Sequence, residues 1–276
     1  MKGNSLPARL VSVVLLLAFL VGCIRAPVLP TIIYHTGLRQ EVALWRMFPD
    51  GSEITQITSS GWFGAYSPDN SKIAYSEFYD DGIWVVDADG KHPVRLTDFG
   101  SDPSWSPRGN RLVFSAGGTA GKDRYLWIVN ANGTDVHQLS TVNGSHADWS
   151  LGGELILFHG EVNNGIWQIA PDGSQEKMLY AGGGYPAWSP DGEEIVYVDL
   201  RDWCIWVMRA DGTDRRKLTD HTGMLPSWAA GGRQIAYEGV CEDKDGNKKE
   251  CIWMINSDGS DDHAINEEGR APDWSN

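Results

Sequence analysis

The sequence predicts an all-β chain, a six-bladed β-propeller of four-stranded antiparallel blades, on three observations. A tryptophan recurs at Trp45, Trp84, Trp127, Trp167, Trp206 and Trp253. Five residues after each stands the first member of a turn pair: Asp50-Gly51, Asp89-Gly90, Asn132-Gly133, Asp172-Gly173, Asp211-Gly212 and Asp258-Gly259. A second aromatic follows the first by 21 or 22 residues, at Tyr66, Trp105, Trp149, Trp188, Trp228 and Trp274. Asp-Gly and Asn-Gly supply the positive φ angles of a tight hairpin, so the fixed offset reads as a strand entering a turn. No stretch of the repeat carries helical periodicity. Six units over residues 23–276 leave about 42 residues each, the size of one propeller blade.

Taken in chain order, residues 1–22 read as a signal peptide. Lys2 and Arg9 precede an apolar run over residues 11–22 that is too short to span a bilayer and suits an h-region. Leu20-Val21-Gly22-Cys23 resembles the bacterial lipobox, which implies diacylation of Cys23 and makes residues 23–30 a lipidated tether. Ile24 and Arg25 do not match the Asp-type retention signal that accompanies such boxes, so the anchor is expected at the outer membrane or facing outward. Acyl chains then supply the membrane attachment, since the chain is formally -14 and, without Lys2 and Arg9 of the signal segment, -16, and is repelled by anionic lipid.

Residues 31–276 form the propeller. Its first segment, Thr31-Ile-Ile-Tyr34, matches the second strand of a unit such as Lys72-Ile-Ala-Tyr75. Its last, Ala271-Pro-Asp-Trp-Ser275, matches a first strand. The C-terminal strand is therefore expected to complete the blade that the N-terminal strand begins and so close the ring, removing an open sheet edge. The fullest unit, Pro186-Ala-Trp-Ser-Pro-Asp-Gly followed by Ile205-Trp-Val-Met and Asp211-Gly-Thr with Leu218-Thr219, resembles the WD-like propeller repeats of the TolB type. That resemblance covers essentially all of residues 31–276 and implies the fold. TolB proteins carry a further N-terminal domain for which residues 1–30 leave no room. Similar repeats precede α/β-hydrolase domains in prolyl-oligopeptidase-like enzymes, but this sequence holds no Gly-x-Ser-x-Gly elbow.

Composition narrows the function. With 23 Lys+Arg against 37 Asp+Glu the chain is not a nucleic-acid binder, which needs clustered positive charge. Of 13 Trp, 11 occupy repeat positions and read as blade-to-blade packing, leaving Trp62 and Trp203. Both are expected in loops of one face of the disc, with Phe63, Phe78, Tyr79, Phe99, Tyr125 and Tyr185. Such a cluster offers a contact surface for a protein or a sugar ring, unless the rings cap their own loops.

A second candidate lies at the axis. Three residues before each first-strand aromatic stand Phe63, Asp102, His146, Tyr185, Leu225 and Ala271; directly before it stand Ala65, Ser104, Asp148, Ala187, Ser227 and Asp273. Asp102, His146, Asp148 and Asp273 are not explained by crowding and are expected to form an acidic mouth for a cation or a basic segment, or to cap turns. One His among carboxylates does not make a transition-metal site, and no cofactor is expected. Cys241 and Cys251 flank a charged loop and are a candidate disulfide, leaving Cys204 as a buried strand residue. Asp243-x-Asp245-Gly246-Asn247 has only part of a calcium-loop pattern, with lysines interleaved, and reads as a solvated hairpin tip.

The reading these residues favour is a monomeric, lipid-anchored, non-catalytic platform in the bacterial envelope that binds other envelope proteins. A carbohydrate- or small-ligand-binding lipoprotein stacking rings on Trp62 and Trp203 is the alternative. A lyase or hydrolase using Asp102, His146 and Asp148 is third.

Overall fold

The computed structural model describes residues 30–37, 42–77, 82–117, 123–266 and 268–275. The signal segment, Cys23, and the rim candidates Phe78 and Tyr79 lie outside the described residues. Within them every regular element is a β-strand. The first sheet holds β1 (Ile32–Thr36), β2 (Ala43–Met47) and β3 (Thr55–Gln56). The second holds β4 (Trp62–Tyr66), β5 (Lys72–Ser76), β6 (Ile83–Asp87) and β7 (Val94–Arg95). The third holds β8 (Ser101–Trp105), β9 (Arg111–Gly117), β10 (Arg124–Asn130) and β11 (His137–Gln138). The fourth holds β12 (Gly144–Trp149), β13 (Ile156–Gly160), β14 (Gly165–Ile169) and β15 (Lys177–Ala181). Then come β16 (Gly183–Trp188), β17 (Glu194–Asp199), β18 (Cys204–Arg209), β19 (Arg216–Trp228), β20 (Gln234–Glu242), β21 (Lys248–Asn256) and β22 (His263–Ala264). The last strand, β23 (Arg270–Trp274), returns to the first sheet, where Ile32 pairs with Trp274.

The molecule is thus a propeller of four-stranded antiparallel blades, with one departure from the six separate units read in the sequence. The described strands form four four-stranded sheets and one of seven strands, β16 to β22. The seven-stranded sheet arises because β19 runs unbroken for 13 residues. Its first part pairs with β18 up to Thr222, and from Gly223 onward it pairs with β20. Elsewhere the same connection leaves the strand conformation, as at Gly182 with φ 88° between β15 and β16.

Side-chain chemistry explains why the repeat folds this way. A serine follows the first-strand aromatic in every unit but one (Ala229), buried at Ser67, Ser106, Ser189 and Ser275, and its hydroxyl accepts the backbone N–H that opens the next strand, as in Lys72 to Ser67 (2.9 Å) and Glu194 to Ser189 (2.9 Å). In each Asp-Gly-Ser/Thr turn the carboxylate accepts the N–H two residues on, as Asp211 does from Thr213 at 2.9 Å. Apolar clusters then bridge neighbouring sheets. Ile32, Tyr34, Met47 and Trp274 pack with Ala236, Ile252 and Met254, so the first sheet is cemented to the end of the seven-stranded one. At roughly 25 cal/mol per Å² of apolar surface removed from water, such interfaces are the main source of stability.

One glycine per unit serves close approach. Gly61, Gly100, Gly144, Gly183, Gly223 and Gly269 each lie against the ring of a second-strand aromatic; a Cβ on Gly144 would stand 2.4 Å from Phe158. This lets the innermost strand enter directly beneath that ring. The innermost segments β4, β8, β12, β16, the later part of β19, and β23 pack each against the next, and β23 packs against β4.

Candidate binding site at the axial mouth

Every innermost strand carries a bulge at the same place. The pairing register shifts between Trp62 and Ala65, Ser101 and Ser104, Ser145 and Asp148, Gly184 and Ala187, and Met224 and Ser227. Pairing of β23 with β1 is irregular at the matching point. Within each bulge one non-glycine residue takes a left-handed conformation: Phe63 (φ 50°), Asp102 (55°), His146 (52°), Tyr185 (53°), Leu225 (50°) and Ala271 (45°). Such conformations are uncommon for side-chain-bearing residues, and bulges re-aim side chains. All six residues line one cavity of about 580 Å³ where the inner strands converge.

At one end of this cavity the rings meet. Phe63 contacts His146 (centroids 5.8 Å apart), His146 contacts Tyr185 (4.7 Å), and Tyr185 contacts His159 (5.0 Å). On the other side Phe63 touches His35 (5.5 Å) and Trp62 (5.3 Å). Asp102 sits beside this arc. Its Oδ2 accepts from Ser115 Oγ and Arg124 Nη2, both at 3.1 Å, and lies 3.8 Å from His146 Nε2. Burial lowers the pKa of His146, and drives His35 and His159 down to about 4. All three imidazoles are therefore neutral at physiological pH, each with one donor and one acceptor nitrogen.

Asp148 and Asp273 occupy a different level. Asp148 Oδ2 accepts the N–H of Trp188 at 2.7 Å, and Asp273 Oδ2 that of Tyr66 at 3.0 Å, while Asp273 Oδ1 receives Ser227 Oγ at 3.2 Å. Both carboxylates thus staple one inner strand to the next. Their side chains keep some exposure to the cavity, yet burial pushes Asp148 up to about 7 and Asp273 to about 6. The acidic mouth expected from the sequence is consequently split: Asp102 is charge-compensated by Arg124, and the other two carboxylates accept backbone N–H groups of neighbouring inner strands, Asp273 also the Ser227 hydroxyl.

The aromatic rim needs correction. Trp62 and Phe63 lie within β4 rather than in a loop, because the strand begins directly after Gly61, and both are half-buried. Phe99 is packed between Phe114 (5.7 Å) and Trp127 (5.0 Å), so it caps its own loop. Tyr125 is half-buried at the start of β10. Trp203, between β17 and β18, is 43% exposed and has φ 57°, where the matching residue of the preceding sheet is Asn164. Cys241 and Cys251 are joined in a disulfide across the β20–β21 hairpin, and Cys204 is a buried free thiol in β18. Asp243 caps the hairpin tip by accepting from Asp245 and Asn247 N–H, both at 2.9 Å. Among the described residues no three His, Cys, Asp or Glu side chains converge as a metal site.

One ring of residues escaped the sequence reading. The residue after each second-strand aromatic, His35, Ser76, Ser115, His159, Val198 and Glu238, backs the mouth. Ser76 Oγ accepts from Asp102 N–H (3.0 Å) and Glu238 Oε2 from Ala271 N–H (3.3 Å), in each case reaching the next inner strand. The signal was available: five of these six positions are polar in strands whose other core positions are apolar. A second unforeseen network joins Tyr237 and His221 through Asp262, with His221 Nε2 2.9 Å from Asp262 Oδ2.

Comparison with known proteins follows this geometry. A family model described as the TolB beta propeller domain matches residues 34–276. The crystal structure of TolB from Acinetobacter baumannii superposes with a TM-score of 0.74 at 20% identity, covering 89% of this chain and 66% of that one. A structure from Agrobacterium tumefaciens assigned to TolB gives 0.68 at 17% identity, covering 88% and 90%. A chain of the nidogen/laminin complex gives 0.69 at 11% identity, covering 90% and 98%. An uncharacterised protein of Agrobacterium fabrum is 26% identical over 170 residues, 52% of this chain and 56% of that protein. The chain therefore spans little more than half of this curated relative and just under two thirds of the Acinetobacter TolB.

Proposed function

This chain belongs to the TolB beta propeller domain family, and on that premise we propose that it is a non-catalytic, monomeric protein-binding platform of the bacterial envelope. In this reading Cys23 carries the lipid that holds it outside the cytoplasm. The body is a ring of six blades in which the seven-stranded sheet is two blades sharing β19. The cyclic packing of the six innermost segments and the pairing of Ile32 with Trp274 support that count. The chemistry of the mouth favours binding over turnover. Asp102 is held by Arg124 and Ser115, and His146 Nδ1 faces Ser145 Oγ at 3.0 Å.

The observation that carries the docking face is Trp203. A bulky indole in a left-handed turn, where the preceding sheet uses Asn164, costs conformational energy and still stays 43% exposed. The described connections between second and third strands at residues 161–164 and 200–203 lie at the same ends of their sheets, and Trp203 closes the latter. Exposed tryptophans are frequent anchors of protein interfaces. The nidogen/laminin structure, by its description a protein–protein complex, contains a propeller of the same architecture.

A photo-crosslinking residue placed at Trp203 in the acylated protein, in native envelopes, tests this. The expected outcome is a discrete protein adduct from position 203 and none from Leu151, which is 62% exposed on the opposite face. Equal labelling from both positions, or none from either, refutes the docking face.

A further inference from the structure

The six Asp-Gly and Asn-Gly turns form a ring on one face of the disc, each against the sheet before it. Gly51 lies on the carbonyl of Ile265, Gly90 on that of Ile57, Gly133 on that of Leu96 and Gly212 on that of Leu179. The chain enters the propeller on this same face. Ile32 pairs with Met47 at the end of the first sheet that carries the Asp50-Gly51 turn. Thr31 is fixed beside the innermost strands: its N–H donates to Ser275 Oγ (2.7 Å), its carbonyl accepts from Ser275 N–H (2.9 Å), and its hydroxyl meets that of Tyr66 (2.9 Å). Val162 and Trp203 stand at the other ends of their sheets. Beside Trp203, Asp199 pairs with Cys204, whereas Glu194 pairs with Arg209 at the turn end.

Length decides which face can meet a membrane. Cys23 is eight residues before Thr31, a span of at most about 29 Å when fully extended. To bring the Trp203 ends to the bilayer, that stretch would have to pass outward over β2 and β3 and then run the height of the sheet. Two strand spacings and the five-residue β1 come to about 27 Å. The β20–β21 hairpin lengthens the route. Its pairing continues for three residue pairs past Gly239 and Cys251, to Glu242 and Lys248, where the two preceding units stop at Gly160–Gly165 and Asp199–Cys204. It stands about 10 Å proud of that face, so the route exceeds the reach by roughly 8 Å.

The turn face also has the surface for such a contact. Pro68, Pro107, Leu151, Pro190 and Ala230 line the end of the axial cavity beside Thr31, and Leu151 is 62% exposed. The carboxylates of this face, Asp50, Asp89, Asp172, Asp211 and Asp258, stand farther from the axis, on turns between third and outer strands. An uncharged centre meets a headgroup layer without stripping water from ions.

We propose that the Asp-Gly turn face is the membrane-facing surface, apposed to the bilayer that holds Cys23, and that the ends carrying Val162 and Trp203 point into the aqueous compartment. The docking partner is then a water-soluble domain that reaches the propeller from the side away from that bilayer. This rests on the reading of Cys23 as the lipidated residue.

Leu151 and Val162 flank β13 at opposite ends, both exposed, and serve as label sites within one sheet. Leu151→Cys and Val162→Cys variants are labelled with a fluorescent donor; Cys204 is buried and Cys241 is paired with Cys251, so neither takes the label. The acylated proteins are incorporated into vesicles of phosphatidylcholine and phosphatidylethanolamine that contain a headgroup-labelled acceptor lipid. Energy transfer is read on the fraction that floats with the vesicles. The expected result is transfer from position 151 at least twofold greater than from position 162. Equal transfer means that the disc stands on its edge, and stronger transfer from 162 means that it is inverted; either overturns the proposed orientation while leaving the anchor intact. Protein that does not float with the vesicles overturns the reading of Cys23, and the orientation with it.

Discussion

Asp148 shows how one side chain couples cavity and scaffold. It lies where other units place Ala65, Ser104, Ala187 or Ser227, and its carboxyl holds its proton up to about pH 7 in the folded chain against an ordinary value of 3.8. Burial is the main cause, opposed by the Trp188 N–H and reinforced by the charge of Asp273. Between those two pH values the folded state binds more protons than the unfolded one, so this group makes stability fall as pH rises from about 4 to about 7 and level off above. Asp148→Asn keeps the acceptor for Trp188 and abolishes the titration. Melting temperatures followed across pH should show the variant matching the parent near pH 4.5 and exceeding it by at least about 2–4 °C near pH 8. A variant that melts lower at pH 8 would mean that the ionised carboxylate is the stabilising form. This level of detail was only partly legible in the sequence. Spacing located Asp102, His146, Asp148 and Asp273 at the axis, but not that Asp102 shares a level with Arg124 while Asp148 and Asp273 bind backbone. Arg124 reaches the site from a third strand, and no short-range pattern encodes that approach.

Strands and turns were the most legible level, because their signals are local. The Asp-Gly offset, the Ser after the aromatic and the Thr or Ser closing four of the units (Thr58, Thr97, Ser140, Thr219) all correspond to specific hydrogen bonds. Thr97, Ser140 and Thr219 accept the N–H of Ile83, Leu126 and Ile205 at 2.9, 2.9 and 3.0 Å. Two features at this scale were not readable. The unbroken β19 depends on backbone continuity across Thr222 and Gly223, which propensity does not forbid. The bulges depend on crowding at the axis and put Phe63 inside the mouth instead of on the rim. The β20–β21 hairpin outgrows its sheet and is stapled by Cys241–Cys251 at a sequence separation of 10. Loop-closure entropy assigns such a staple about 2–3 kcal/mol. Replacing both cysteines with Ala should cost up to that amount in urea unfolding, with faster amide exchange confined to residues 239–252. Exchange that quickens throughout the molecule would show that the hairpin is integral to the global fold.

At the scale of the whole molecule the distinctive element is β23. It pairs with β1, contributes Trp274 to the core against Met254, and delivers Asp273 to the N–H of Tyr66. The matching terminal segments Thr31–Tyr34 and Ala271–Ser275 made this pairing legible, since repeated sequence identifies which strand is missing from an incomplete unit. Removing residues 270–276 exposes one edge of β1 and opens the cluster around Ile32 and Trp274. Gel filtration should find the shortened chain aggregated or unfolded, with solubility restored by supplying a peptide of residues 268–276 in trans. A soluble, cooperatively melting shortened monomer would show that the remaining sheets hold without this strand.

The same pairing bears on how the chain reaches its folded state. Strand neighbours within each sheet are close in sequence and can zip as soon as they exist, whereas Ile32 must wait for Trp274. Non-local pairings of this span slow folding, because the loop must close before any contact rewards it. A chain emerging from a ribosome or a pore therefore builds its middle sheets first and holds its beginning unfinished until the last residues arrive. The final pairing acts as a check on synthesis: a product cut short anywhere before Arg270 lacks the strand that buries one edge of β1.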